Sequence, residues 1–261
     1  MSKIVLGFSG GVDSTVSTML LKKAGHEVYG LYMDNADEAA RQCAIDTAEF
    51  IGVPLTVLDV KAELERNVCR PFTEAYLRGE TPNPCIICNP STKFKNLLAE
   101  ADRVGAELVA TGHYARTENG RLMKGMPAND QSYMLCRLSR EQVRRTVFPL
   151  GGFEKKQVRA LAEEFGLPVA HKPDSMEICF VPDNDYAGFI GRRTGNADKP
   201  GNFVDIDGNV IGRHRGIIHY TVGQRKGLGM TFGKPMFVLK IDAAKNEIVL
   251  GEKGTEFSRE L

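Results

Sequence analysis

KIVLGFSGGVDS, residues Lys3 to Ser14, passes from an apolar β-type run (Ile4, Val5, Leu6) through small and polar residues into a helical pattern marked by Val16, Met19, Leu20 and Leu21. A strand, a small-residue loop and a helix N-terminus in that order build an anion site. The adjacent Gly10 and Gly11 let the backbone approach a phosphate, the first N–H groups of the helix point at it, and the helix dipole favours its charge. Ser9 and Ser14 add hydroxyl donors, and Asp13 is placed to meet Mg²⁺ carried by a nucleotide. The stretch lacks the Gly-Lys-Ser/Thr ending of the Walker loop and the glycine spacing of the dinucleotide fingerprint.

Working outward, His26 to Met33 is a second β-type run, a helix is predicted from about Asp37 to Phe50, and LTVLD at 55–59 is a third strand. Strand and helix alternating in this way predict a parallel sheet with crossover helices, and open sheets of this kind bind ligands beyond the carboxyl ends of their strands. A helix follows over about 61–77. Arg78 to Pro90, RGETPNPCIICNP, carries three prolines and two asparagines and is expected to be irregular. Helical spacing resumes from Thr92, ELVAT at 107–111 is a fourth strand, and Asn119-Gly120 marks a hairpin turn. Residues 131–166 read as mostly helical, 167–182 as irregular, and 186–192 as a short helix. Beyond Pro200 the alternation becomes β-like, with an Asp207-Gly208 turn and a second hairpin closing near 243–246. The expected organisation is therefore an α/β domain over 1–199 and a small β-rich domain over 200–261.

With 261 residues, 42% hydrophobic and 26% charged, the chain has the composition of an ordinary globular protein. It contains no apolar run of the roughly 18 residues needed to span a membrane and no basic-then-apolar start, which predicts a cytoplasmic protein with no membrane partner. The net charge of +1 says little about partners, because local clusters such as Arg137, Arg140, Arg144 and Arg145, or Arg225 and Lys226, matter only where they converge on one surface. Taken singly, each cluster reads as a solvated face or turn.

The six cysteines belong to a chain expected to stay in a reducing compartment, so metal or thiol chemistry is favoured over a disulfide framework. Cys43, Cys69 and Cys136 lie in helical or apolar surroundings and read as small buried side chains. Cys85 and Cys88 form a C-x-x-C, and Cys179 lies in a polar, irregular segment. Three readings stay open for this trio: an iron–sulfur cluster with one open iron, a metal-free persulfide and disulfide pair, and a zinc or purely structural site.

SGGVDS resembles the PP-loop of ATP pyrophosphatases, which split ATP between the α and β phosphates and adenylate a carbonyl oxygen. Together with TPNPCIICN, TGHYAR at 111–116, DQSYML at 130–135, DSMEICF at 174–180 and GQRKGLG at 223–229, it resembles the family of bacterial tRNA-specific 2-thiouridylases over nearly the whole chain. That resemblance implies an α/β parallel-sheet PP-loop domain followed by a small β-rich domain. The implied activity replaces the C2 oxygen of a tRNA wobble uridine with sulfur, using ATP and Mg²⁺.

Carried over to this chain, the resemblance implies that Gly7, Phe8, Ser9, Gly10, Gly11, Val12, Asp13 and Ser14 bind ATP and that Met33 and Gly112 border the adenosine. Cys88 matches the nucleophile, and Cys179 carries a persulfide or shares, with Cys85 and Cys88, a [4Fe-4S] cluster. Asn83 and Pro84 lie beside the target base, and Asp130, Gln131 and Ser132 touch tRNA. A persulfide carrier protein or inorganic sulfide donates the sulfur. The sequence departs from the family in three places. Cys85 replaces a common Asp, Asn129 stands where a Lys usually precedes DQSY, and the family's C-terminal β-barrel is expected to be missing beyond Leu261. Two alternatives follow from that last departure and from the cysteines: thiolation of a small-molecule carbonyl, and a non-catalytic iron–sulfur or nucleotide sensor.

Overall fold

The computed structural model describes residues 1–173, 178–181, 183–195 and 198–255. Asp174 to Glu177 of the DSMEICF motif lie outside the described residues. Strand β1 (Lys3–Gly7) is followed by helix α1 (Val12–Lys23), β2 (Glu27–Asp34), α2 (Glu38–Phe50) and β3 (Leu55–Asp59). After α3 (Lys61–Leu64), a π-helical turn at Glu65–Cys69 leads into α4 (Arg70–Leu77). Helix α5 (Pro84–Cys88), a second π-helical turn at Asn89–Lys93 and α6 (Phe94–Val104) come next. Strand β4 (Leu108–Ala110), the hairpin β5 (Ala115–Glu118) and β6 (Arg121–Lys124), helix α7 (Arg140–Arg144), strand β7 (Thr146–Val147) and α8 (Lys155–Glu164) follow.

The main sheet has the order β3-β2-β1-β4-β7, and every pairing in it is parallel. As the central strand, β1 is covered on both faces, which is why it reads as a continuous apolar run rather than an alternation. Ile4 and Leu6 face Val12, Val16, Ala44, Ala48, Val158 and Ala162, the buried stripes of α1, α2 and α8. Val5 faces the other way, onto Phe94, Leu97 and Ala101 of α6. Because β2 and β4 flank β1 on opposite sides, the order in which strands are added reverses at β1. In open parallel sheets ligands bind at such a point, beyond the carboxyl ends of the strands.

The contacts divide the chain into two compact units, Met1–Val68 with Pro84–Met176, and Cys69–Asn83 with Glu177–Leu261. The segment 177–199, expected above to belong to the α/β domain, thus groups with the second unit, as does α4. There α9 (Tyr186–Thr194) precedes a four-stranded sheet of order β10-β11-β8-β9, made of β8 (Gly201–Val204), β9 (Val210–His214), β10 (Met236–Asp242) and β11 (Glu247–Glu252). Its core is Phe203, Tyr220, Leu228, Val238, Ile248 and Leu250. A separate aromatic cluster joins α4 and α9, with Phe72 edge-on to Phe180 at 5.3 Å and Tyr76 stacked on Tyr186 at 5.0 Å.

One expectation is corrected and another refined. Arg78 to Pro90 is irregular only as far as Asn83, and from Pro84 onward it is helical. Pro84 opens α5, where its missing N–H leaves no bond unmade. Pro90 sits at the start of a π-helical turn, whose wider bonding ring accommodates a residue with neither an N–H nor room for the carbonyl four positions back. Residues 131–166 are helical over Ser132–Leu135, Arg140–Arg144 and Lys155–Glu164, as expected, but not continuously. They contain β7, an edge strand of 2 residues, too short to impose a visible alternation. The Asn119-Gly120 turn is as expected, with both residues at positive φ.

Leu97 is fully buried beneath β1 and β4, and Leu97→Ala should lower stability by roughly 2–5 kcal/mol through lost burial and a residual cavity. Urea unfolding read by circular dichroism measures the loss.

Candidate active site

The turn after β1 is held by its own side chains. Ser9 Oγ and Ser14 Oγ lie 3.2 Å apart, the Ser9 amide donates to Ser14 Oγ at 3.3 Å, and the Ser14 hydroxyl reaches Gly11 O at 3.1 Å. Gly10 takes a left-handed φ of 67°, and a Cβ there would lie 2.6 Å from the Ala44 backbone of α2. Only glycine fits that position. The N-cap of α1, Gly11, offers no side-chain cap, so the amides of the first turn are not engaged by a capping oxygen. An anion would meet them together with two serine hydroxyls.

Parallel register brings the other nucleotide candidates to the same edge. Gly7 pairs with Leu31 and Leu6 with Ala110, so two further steps along each strand place Met33 level with Ser9 and Gly112 level with Phe8. The Gly112 backbone lies against the first turn of α1, where a Cβ would come within 3.1 Å of Asp13. Beyond it, His113 accepts or donates a 2.7 Å bond at Nδ1 with Thr111 Oγ1 and packs its ring against Phe94 and Phe148. Burial, reinforced by the Lys93 ammonium, pushes His113 well below the usual imidazole range and keeps it neutral.

Asp13 does not present an open carboxylate. Lys155 Nζ donates to both of its oxygens at 2.8 Å, and the Tyr114 hydroxyl donates to Oδ1 at 2.7 Å. Mg²⁺ at this loop would therefore rely on the phosphates that carry it, with Asp13 already matched to a cation. Neither Lys155 nor Tyr114 is among the site residues expected from sequence, where Lys155 read as part of a solvated basic cluster and Tyr114 as part of TGHYAR. One signal for Lys155 existed: Lys155 and Lys156 open α8, where a positive charge opposes the helix dipole. Asn129, the residue that replaces the expected Lys, accepts the Lys155 backbone N–H through Oδ1 at 3.1 Å and so helps seat α8.

Cys85 and Cys88 are three positions apart on α5, on one face of a single turn, and both are partly buried. That helix runs through the π turn into α6, whose Phe94 stacks on His113. Asn89 and Thr92, both buried in the π turn, leave Oδ1 and Oγ1 without hydrogen-bond partners among the described residues. Cys179 is exposed and lies in the second unit. Among the described residues no three His, Cys, Asp or Glu side chains are grouped so as to hold a metal ion.

Of the three cysteines read as small buried side chains, Cys69 is buried and Cys136 is exposed. Cys43 is partly buried, and its sulfur accepts from Lys172 Nζ at 3.1 Å beside the Gly10 carbonyl.

Asp130, Gln131 and Ser132 are largely spent on their own loop. Asp130 accepts the Gly125 and Ser132 amides and the Ser132 hydroxyl. Desolvation opposes its ionisation, but these bonds hold the carboxyl below its ordinary range. Gln131 exchanges bonds with the Tyr114 backbone through its own N–H and its Oε1. The neighbouring Tyr133 is 52% exposed and is the side chain this loop offers outward.

Replacing Lys155 with Met would leave the Asp13 carboxylate uncompensated beside the anion site. ATP affinity should fall by about tenfold or more, corresponding to about 1.4 kcal/mol, as read by calorimetric titration. Lys155→Arg should retain most of the affinity.

Residues 2–183 match the model of the tRNA methyl transferase HUP domain, and residues 187–252 match that of the tRNA methyl transferase PRC-barrel domain. The chain is 46% identical over 282 residues to the tRNA-specific 2-thiouridylase MnmA of Lachnoclostridium phytofermentans, covering 100% of this chain and 79% of that protein. The protein of the same name from Desulfitobacterium hafniense is 46% identical over 270 residues, covering 96% and 73% respectively. That from Clostridium acetobutylicum is 45% identical over 278 residues, covering 99% and 78%. With two domain models matched in order and relatives of one name aligned along its whole length, the chain belongs to the tRNA-specific 2-thiouridylase family.

Proposed function

We propose that the protein is an ATP-dependent tRNA sulfurtransferase that converts a wobble uridine to 2-thiouridine. The observation that carries this reading is the presence, in one compact unit, of an anion-binding turn at the sheet's reversal point and two thiols on a single helical turn. Its matched domain models bear a methyl-transfer label, whereas its relatives are named for thiolation. A methyl donor arrives already activated and has no use for a loop that grips pyrophosphate. A carbonyl that must lose its oxygen does.

The chemistry divides into two steps. The C2 oxygen of uridine is a poor leaving group, so it first attacks the α phosphorus of ATP and pyrophosphate departs. The Ser9–Ser14 turn, the first amides of α1 and the Lys155 ammonium are suited to hold that anion. Mg²⁺ enters with the nucleotide. In the second step, the terminal sulfur of a persulfide on Cys179 attacks C2, and AMP leaves with the original oxygen. The Cys88 thiolate then attacks the inner sulfur, releases 2-thiouridine and forms a Cys88–Cys179 disulfide, which an external dithiol reduces.

Met33 and Gly112 border the adenosine, and Asn83 and Pro84 flank the base, which must leave its stack to reach the thiols. Asp130, Gln131 and Ser132 serve tRNA by shaping the loop that presents Tyr133, an aromatic platform for a base. Cys85, one turn from Cys88, assists as a resolving thiol. In the cluster reading Cys85, Cys88 and Cys179 would instead be iron ligands. In the persulfide route a persulfide carrier passes its outer sulfur to Cys179, whereas in the cluster reading inorganic sulfide would supply it; the enzyme is proposed to work in the cytoplasm. Among the described residues no helix is long and apolar enough to cross a membrane.

Anaerobically purified protein given tRNA transcript, ATP, Mg²⁺ and a persulfide-loaded sulfur carrier should yield 2-thiouridine by mass spectrometry, and Cys88→Ser should abolish it. No thiolated nucleoside from protein with intact thiols would sink the proposal, and pyrophosphate release with a small carbonyl compound alone would move the substrate away from tRNA. Iron content below stoichiometric in active protein supports the persulfide route. A brown protein that bleaches in Cys85→Ala supports the cluster.

A further inference from the structure

The GQRKGLG motif has no part in the chemistry above, yet the structure spends many bonds on it. Gln224 holds the turn from both ends: its Oε1 accepts the Thr221 amide at 3.0 Å and its Nε2 donates to Lys226 O at 2.9 Å. The Gly223 amide donates to Val238 O and the Val238 amide donates to Gln224 O, pinning the loop to β10. Leu228 is buried in the core of the unit, and its carbonyl accepts the Tyr220 hydroxyl. Gly223, Gly227 and Gly229 all take left-handed φ, which allows the chain to fold back tightly enough to leave Arg225 and Lys226 at an exposed tip.

These two cations, and Arg215 beside the Tyr220 phenol, make no ion pair among the described residues. In the same unit Arg78, Arg192, Lys234 and Lys240 are each matched to a carboxylate, in Glu80, Asp183, Glu252 and Asp242. A rigid backbone presenting unmatched positive charge pays little ordering entropy when an anion arrives. Thr81 Oγ1 also donates to Thr221 Oγ1 at 3.1 Å, tying the base of the loop to the segment that enters Cys85 four residues later along the chain.

We propose that the Thr221–Gly229 loop is a phosphate-binding finger for the RNA backbone, with Arg225 and Lys226 contacting phosphodiester oxygens. This rests on the reading of tRNA as substrate and assigns part of its docking surface. Contacts of this kind position the RNA without reading its sequence, so they add affinity that weakens with salt.

The test is binding of a wobble-uridine tRNA transcript to the full chain by filter retention over a series of NaCl concentrations. Arg225→Ala with Lys226→Ala should weaken binding and lower the salt slope by about one per residue removed, a fall of about two. Lys234→Ala with Lys240→Ala changes the formal charge equally, at paired positions, and should leave the slope near that of the parent. An unchanged slope in the loop variant, while the parent binds and thiolates tRNA, overturns the finger and leaves the proposed function standing. Equal losses in both variants also overturn it, by showing that net charge alone governs binding. A parent that binds no tRNA sinks both proposals together.

Discussion

Everything in the first unit depends on how β1 ends. The strand is packed on both faces and paired on both edges, so its backbone has no freedom until it leaves the sheet. It then has to turn immediately into α1 while α2 and the backbone at Gly112 close in from either side. Gly10 meets Ala44 and Gly112 meets the first turn of α1 at distances that leave no space for a side chain. The tightness is what concentrates amide donors at one point. A looser turn would scatter them and lose the field that an anion needs.

A second constraint is electrostatic. An acidic residue in the first turn stabilises α1 through the helix dipole, but a bare carboxylate beside an anion site would repel the ligand. Lys155 resolves the conflict by spanning both oxygens of Asp13, and Tyr114 adds a neutral donor. Helix α8 is thereby tied to α1 across the face of the sheet, with Asn129 seating its first amide. The unfavourable placement of Lys155 at its own helix's N-terminus is offset at the neighbouring helix.

The cysteine segment follows a different logic. Its prolines predict irregular backbone when read one at a time, but Pro84 opens a helix and Pro90 is accommodated by a π turn. Among the described residues, the turn leaves two buried polar atoms, Asn89 Oδ1 and Thr92 Oγ1, without hydrogen-bond partners. It also sets Cys85 and Cys88 on one face, in the helix that leads to Phe94 and the neutral His113.

The local features of the chain were legible in its sequence: the apolar run of β1, the glycine turn, the alternation of strands and helices, the hairpins at Asn119-Gly120 and in the β-rich region. These follow from residue periodicity and backbone sterics within a few positions. The pairing of Asp13 with Lys155 joins residues far apart along the chain, and nothing local reveals it beyond a lysine set against its own helix dipole. Likewise, the helical state of the proline-bearing cysteine segment, the two-residue strand β7, and the grouping of α4 and residues 177–199 with the β-rich unit were set by packing. Tertiary contacts decide such features because short or proline-broken segments carry too little intrinsic preference of their own, and the neighbours that stabilise them are brought close only when the sheet and its helices assemble.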